Sequence, residues 1–280
     1  MRFGFRPRLM PINRRYFVQQ LRDAITWARN LGLQSIELTC TEDMASLGLQ
    51  NVFGGEFMET LMSANDLRFH LHLYYGEHSI DEVAISDTSA RARGSYLRKL
   101  CHALDYFETN RPMQLYVLGA GPHIVDTASH MRQLAGSLDC IRTLYPDIKL
   151  AIVNGRPGTV LERPTEFLDF LSVYNDVGFV FDSGWGFQSV GYSRELFSHF
   201  VRSLTRFADR LAAVHWKNVG PATKSDVPLH VPVDRGVDLP LVARHLGRNP
   251  ATVHIIETAA AAQQSLLARD RRVLVSYFGG

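Results

Sequence analysis

The sequence predicts an α/β chain folded as a closed (β/α)8 TIM barrel, on three observations. Short apolar runs alternate with longer segments of helical period, the runs come to eight, and the 280 residues lie close to the roughly 250 typical of such a barrel.

The first run is Phe3 to Phe5. After it Phe17, Leu21, Ile25 and Ala28 recur at three or four residues, one face of a helix, and Asn30-Leu31-Gly32 stops that helix before the second run, Ser35 to Thr39. The third run is Leu67 to Leu73. A helical pattern over Ser89 to Phe107 leads to the fourth, Gln114 to Leu118, and one over Thr127 to Leu144 leads to the fifth, Lys149 to Val153. Thr165 to Tyr174 delivers the chain to Val177 to Phe181, Arg194 to Ala208 to Ala212 to Trp216, and Leu239 to Leu246 to the last run, Thr252 to Glu257. Alternation of this kind implies parallel strands. No linker, low-complexity tract or composition shift interrupts the series, so residues 1–280 read as one domain. A doubly wound open sheet is the competing architecture, but no Gly-rich phosphate fingerprint follows the first run.

Composition narrows the function classes. The formal charge of +2 lacks the basic excess of a protein that lives on phosphate backbones, so nucleic acid is not an expected partner. Arg2, Arg6, Arg8, Arg14 and Arg15 cluster near the start, but apolar residues interrupt them, and they are expected on a solvated face or as a cap on the barrel bottom. Cys40, Cys101 and Cys140 match neither a disulfide framework nor a zinc knuckle and are expected reduced. No stretch approaches the roughly 20 apolar residues that span a bilayer, and the first thirty residues lack a signal-peptide core; no membrane partner and a cytoplasmic location are expected. The oligomeric state stays open, a homo-oligomer included.

In a TIM barrel the catalytic groups come from the C-terminal ends of the strands. Polar residues end several of these runs: Asp182 closes the sixth, His215 and Lys217 the seventh and Glu257 the eighth, while Glu37 stands in the second and His70 and His72 in the third. An acid directly after Gly178-Phe179-Val180-Phe181 or after Val253-His254-Ile255-Ile256 is desolvated unless paired or metal-bound. Two carboxylates and an imidazole converging on one point make a divalent-metal site with open positions. The bland alternatives are a helix cap or buried salt bridge for the acids, a hydrogen-bonded core histidine for His215, and a pairing of Lys217 with one of the acids. The long turn from Val219 to Val237, which holds His230, is the candidate loop over the site.

These segments resemble the xylose-isomerase-like barrels, which include sugar isomerases and epimerases, related dehydratases and abasic-site endonucleases. Ser35-Ile36-Glu37-Leu38 resembles the family's second strand, and Val177 to Trp185 its sixth, an apolar run followed by Asp-Thr-x-His. Val214-His215-Trp216-Lys217-Asn218 is similar to the seventh-strand His-x-Lys-Asp, and Ile255-Ile256-Glu257-Thr258 to the eighth strand with its metal-binding Glu. The resemblance implies Asp182, His215 and Glu257 as ligands of a divalent metal (Mn, Zn, Mg or Co), with His72 lining the site. Two departures bear on this: Val153 stands where the fifth strand normally supplies a Glu, before Asn154, and Trp185 where a His is expected. The metal is therefore itself an open expectation.

What the resemblance implies first is a metal-dependent isomerase or epimerase of a sugar or similar polyhydroxylated small molecule, in which the metal stabilises an enediolate and Glu257, Lys217 or His72 moves the proton. Trp185, His230, Asn154 and Glu37 are the expected substrate contacts. A second reading is a non-catalytic barrel acting as a binding or assembly partner. A third, an endonuclease-like phosphodiesterase, is weaker, because Val153, Trp185, Val117 and Pro228 replace four of the ligands that several zinc ions need.

Overall fold

Each of the eight apolar runs forms a strand, as buried parallel strands rich in Val, Ile, Leu and Phe should. The computed structural model describes residues 1–9, 13–41, 44–45, 47–74, 85–121, 127–223, 227–257 and 263–278. The strands are β1 (Arg2–Phe5), β2 (Ser35–Thr41), β3 (Arg68–Tyr74), β4 (Leu115–Leu118), β5 (Leu150–Val153), β6 (Gly178–Asp182), β7 (Leu211–Trp216) and β8 (Val253–Ile256). Each pairs in parallel with the next and β8 returns to β1, closing the barrel. The fold class is the expected (β/α)8 barrel.

Around it run α1 (Arg14–Asn30), α2 (Leu49–Phe53), α3 (Glu56–Ser63), α4 (Ala90–Asn110), α5 (Thr127–Leu144), α6 (Pro164–Val173), α7 (Ser183–Ser189), α8 (Arg194–Leu204), α9 (Leu239–Leu246) and α10 (Gln264–Ser276). Their ends follow local chemistry: Asn13, Ser89, Ser193 and Asp238 each accept a backbone N–H of the first helical turn. The helices α2, α3, α7 and α10 have no counterpart among the expected helical segments; the first three are too short to carry much periodicity. The pattern expected through Ala208 ends as α-helix at Leu204 and tightens into a 3-10 turn over Thr205–Arg210. No helix among the described residues is long and apolar enough to cross a membrane.

The barrel interior is a cluster of its own, Leu115, Val117, Ala151, Val153, Val180, Ala213, Val253 and Ile255, with Trp185 packed against it. A second, larger cluster fills the layer between strands and helices. These interior residues fix the alternation of every strand, because side chains on one face recur every second residue. Two residues beyond Val180, Ala213 and Ile255, the inward positions are Asp182, His215 and Glu257. On β1 the inward position is Gly4, where a Cβ would come 2.6 Å from the Ser35 carbonyl oxygen and 2.9 Å from Ile255 Cδ1. Only glycine lets β1 close against β2 and β8 there.

One expectation is corrected. Arg6 does not belong with a solvated or barrel-bottom cluster: two residues beyond Gly4, it turns inward at the C-terminal end of β1 and is 7% exposed.

Candidate active site

The inward side chains at the C-terminal mouth divide by strand. From β6 round through β7, β8, β1 and β2 to β3 they are Asp182, His215, Lys217, Glu257, Arg6, Glu37 and His72; β4 and β5 contribute Val117 and Val153. The mouth is thus charged on one side and apolar on the other, and Trp185 covers the apolar side.

Arg6 is the centre of the charged side. Its Nε donates to Glu37 Oε1 at 2.6 Å and its Nη1 to Glu257 Oε1 at 2.6 Å, while Nη2 contacts His72 Nδ1 and Glu37 Oε1. His215 bridges the same two acids: Nε2 lies 3.0 Å from Glu37 Oε2 and Nδ1 3.1 Å from Glu257 Oε2. Lys217 Nζ stands 2.9 Å from Asp182 Oδ2 and 2.9 Å from Glu257 Oε1, with the Trp185 ring centroid 4.1 Å away.

Electrostatics follow from this packing. Burial raises the Glu37 carboxyl, but Arg6 and His215 outweigh it and hold the acid well below its usual range. Burial likewise opposes the charge on Glu257, and Arg6 and Lys217 override it, again depressing the acid. For His215 burial favours the neutral ring, yet Glu37 prevails and lifts the pKa to about 9. With His215 protonated, its charge and those of Arg6 and Lys217 balance Glu37, Asp182 and Glu257. Glu257 is the member closest to solvent, its side chain 14% exposed. Its Oε1 takes Arg6 and Lys217, and its Oε2 faces the His215 ring at 3.1 Å.

Two backbone clamps hold the strand ends. The Asn154 amide meets the backbone of Asp182 from both sides, Oδ1 accepting from Asp182 N at 2.6 Å and Nδ2 donating to Asp182 O at 3.2 Å. Ser183 Oγ does the same one strand on, accepting from Lys217 N at 2.9 Å and donating to Lys217 O at 3.1 Å. Asp182 also caps α7, its Oδ1 accepting from Trp185 N at 2.9 Å, which sets Trp185 over the mouth. Gly184 leaves room for Lys217, since a Cβ there would lie 2.8 Å from Lys217 Cβ.

Of the residues singled out in the sequence, Asp182, His215, Lys217, Glu257, Glu37 and His72 come together, with Trp185 against Lys217. Ligand atoms of Asp182, His215 and Glu257 lie within 4.8 Å of one another, and so do those of Glu37, His72 and His215, so both sets are candidate ligand groups. Asn154 spends its amide on the Asp182 backbone. His230 pairs elsewhere: its Nδ1 lies 2.6 Å from Asp270 Oδ1 and its backbone N donates to the same oxygen, tying the loop after β7 to α10. Asn218 anchors that loop through Pro228 O and Val231 O. Residues 224–226 of the loop, and Thr258 beside Glu257, lie outside the described residues. Arg6, Ser183 and Gly184 were not foreseen; counting inward positions one step past the first run, as for the last, finds Arg6.

No family model matches the chain. No curated protein sequence matches it either. Solved structures do match in shape. A D-tagatose 3-epimerase-like protein superposes with a TM-score of 0.70 at 14% identity, covering 99% of this chain and 97% of that one. D-psicose 3-epimerase with D-tagatose from Clostridium cellulolyticum H10 gives 0.68 at 10% identity, covering 99% and 98%. A xylose isomerase domain containing protein from Salmonella typhimurium LT2 gives 0.61 at 10% identity, covering 99% and 97%. At these identities the likeness is one of fold, extending over nearly the whole chain, and by it this chain has the fold of the xylose-isomerase-like TIM barrels.

Proposed function

We propose that the chain is an isomerase or epimerase of a sugar or similar polyhydroxylated small molecule, working at the charged side of the mouth. The observation that carries the reading is Lys217 Nζ held 2.9 Å from both Asp182 and Glu257, with Glu257, 14% exposed, the member of the cluster closest to solvent. The epimerases that share the fold support the substrate class.

Such reactions break a C–H bond next to a carbonyl and remake it at another face or carbon. In this reading the Glu257 carboxylate takes the proton, the bonding pair moves onto the carbonyl oxygen, and the resulting enediolate oxygen faces the Lys217 ammonium. Arg6 and protonated His215 add positive field in a buried site, where charge stabilisation is strongest. His72, buried against Arg6, is the second candidate to carry a proton. Trp185 offers an apolar face to the substrate's C–H side.

The donors as arranged do not fit a metal-dependent form of this reading. A cation needs a lone pair on His215. Protonated, the ring is shared between Glu37 and Glu257; neutral, its Nδ1 accepts from Arg6 Nη2 at 3.1 Å. Neither form leaves a lone pair, and Lys217 already pairs with both Asp182 and Glu257. Protein cations stand where a metal would, and their charge serves the proposed reaction in its place.

The same balance of three acids by three cations favours a second reading, a barrel kept as a binding partner, with the cluster as a structural network. Incubation with a panel of ketoses and aldoses in D2O separates the two. Proton NMR is expected to show loss of a substrate C–H signal without added metal, reduced about 10³-fold in Glu257→Gln and in Lys217→Met, in line with removal of a positioned base or a charge donor. No exchange across the panel, with or without Mn²⁺, leaves the binding reading.

A further inference from the structure

A second cavity opens at the opposite, N-terminal end of the barrel, with a volume of about 430 Å³. That lies within the roughly 300–1,000 Å³ of small-molecule sites. Arg2, Arg68, His70 and Lys149 line it. Three of these open odd-numbered strands: Arg2 and Arg68 are the first residues of β1 and β3, and Lys149 directly precedes β5. By alternation with Gly4, with His70 and His72, and with Ala151 and Val153, all three occupy inward positions. They form the bottom tier of a barrel whose tiers are built from alternate strands.

Among the described residues the side chains of Arg2, Arg68 and Lys149 make no ion pair or hydrogen bond. Of the two acids on the rim, Asp176 pairs with Arg142, and Asp209 meets the charge of Arg210, its neighbour in the chain, without an ion pair among the described residues. The floor of the cavity carries a second, independent sign of a missing partner. His70 is 3% exposed, and neither ring nitrogen has a hydrogen bond. Burial, reinforced by the Arg68 and Arg2 charges, lowers its pKa to about 4, so the ring is neutral, with one N–H to donate and one lone pair to accept. A buried imidazole with both nitrogens idle is destabilising, and a ligand oxygen at the cavity floor relieves it.

We propose that this cavity binds a small oxyanion-bearing molecule, with Arg2, Arg68 and Lys149 neutralising its phosphate or carboxylate groups and His70 donating a hydrogen bond from below. The ligand bridges three non-adjacent strands at the end of the barrel remote from the candidate active site, so its binding stabilises the closed barrel.

Thermal melts and calorimetric titration with inorganic phosphate and with citrate test this, sodium chloride at equal ionic strength serving as control. One or both anions should raise Tm saturably and bind at one site per chain, and the response identifies the phosphate or the polycarboxylate class. Arg68→Gln with Lys149→Gln, both at exposed positions and so expected to fold, should weaken binding at least tenfold. Nitrogen-15 NMR of the His70 ring should shift on binding while the ring stays neutral. No saturable binding of either anion, or an equal shift in the double variant, overturns the proposal.

Discussion

His215 carries the cluster's sharpest pH dependence. Its folded pKa of about 9 lies above the ordinary 6.5, so its stabilising contribution is fully present below pH 6.5 and lost as pH rises through 9. The shift corresponds to about 3 kcal/mol of folding free energy. Glu37 and Glu257 act with the opposite sign: their folded pKa values are depressed, so their contributions are present above about pH 4.5 and lost on acidification. Urea unfolding should therefore show highest stability between about pH 4.5 and 6.5, with a fall towards pH 9.5 that is absent from His215→Gln. A wild-type profile flat from pH 6.5 to 9.5 would mean that His215 is not held charged between the two acids. At this scale the sequence was legible for the residues that close apolar runs, because a polar group after Phe181, Val214 or Ile256 must be paired somewhere. It was not legible for Arg6, which stood among other arginines and looked like part of a surface cluster, nor for His230, whose partner Asp270 lies 40 residues further along, in α10.

At the scale of elements, the strand-to-helix turn after β6 fixes both Asp182 and Lys217. Asp182 caps α7, Ser183 clamps the Lys217 backbone, and Gly184 yields the space through which the Lys217 side chain passes. Gly184→Ala places a methyl group 2.8 Å from Lys217 Cβ, an atom fixed to the strand that cannot swing aside as a side-chain tip would. The variant should lose about 1–3 kcal/mol of stability, the range for overpacking a buried site, and more of any activity than its Tm alone explains, because Lys217 is pushed off the line between Asp182 and Glu257. Parallel melts and exchange assays measure both; full activity in a destabilised variant would show that the Lys217 position is not critical. The eight strands and the helices α1, α4, α5, α6, α8 and α9 were readable because short apolar runs and apolar residues recurring at helical spacing are periodic signals, whereas α10 was not read. The helix α7 was hidden: its seven residues include two glycines, and its start was visible only as the cap that Asp182 makes.

For the whole molecule, the likeness to epimerase folds and the charge state of the mouth pull in different directions, and Val153 is where they meet. Its side chain belongs to the barrel interior with Val117, Val180 and Trp185, one strand from Asp182, so a carboxylate at 153 enters the same mouth. In the wild type three acids are matched by Arg6, Lys217 and protonated His215, which leaves no surplus charge to draw in a divalent ion. Val153→Glu adds a fourth acid and no cation. Burying it unpaired costs several kcal/mol, so without metal the variant should melt well below wild type. Mn²⁺ should then restore stability by mass action, because a cation coordinated by carboxylates is bound only in the folded state. Titration calorimetry should find stoichiometric Mn²⁺ in Val153→Glu and none in wild type. Equal affinity in the two proteins would remove Val153 from the mouth, and tight binding to wild type would mean that Lys217 and Arg6 yield to a metal, returning the cluster to the metal-dependent form of the reaction.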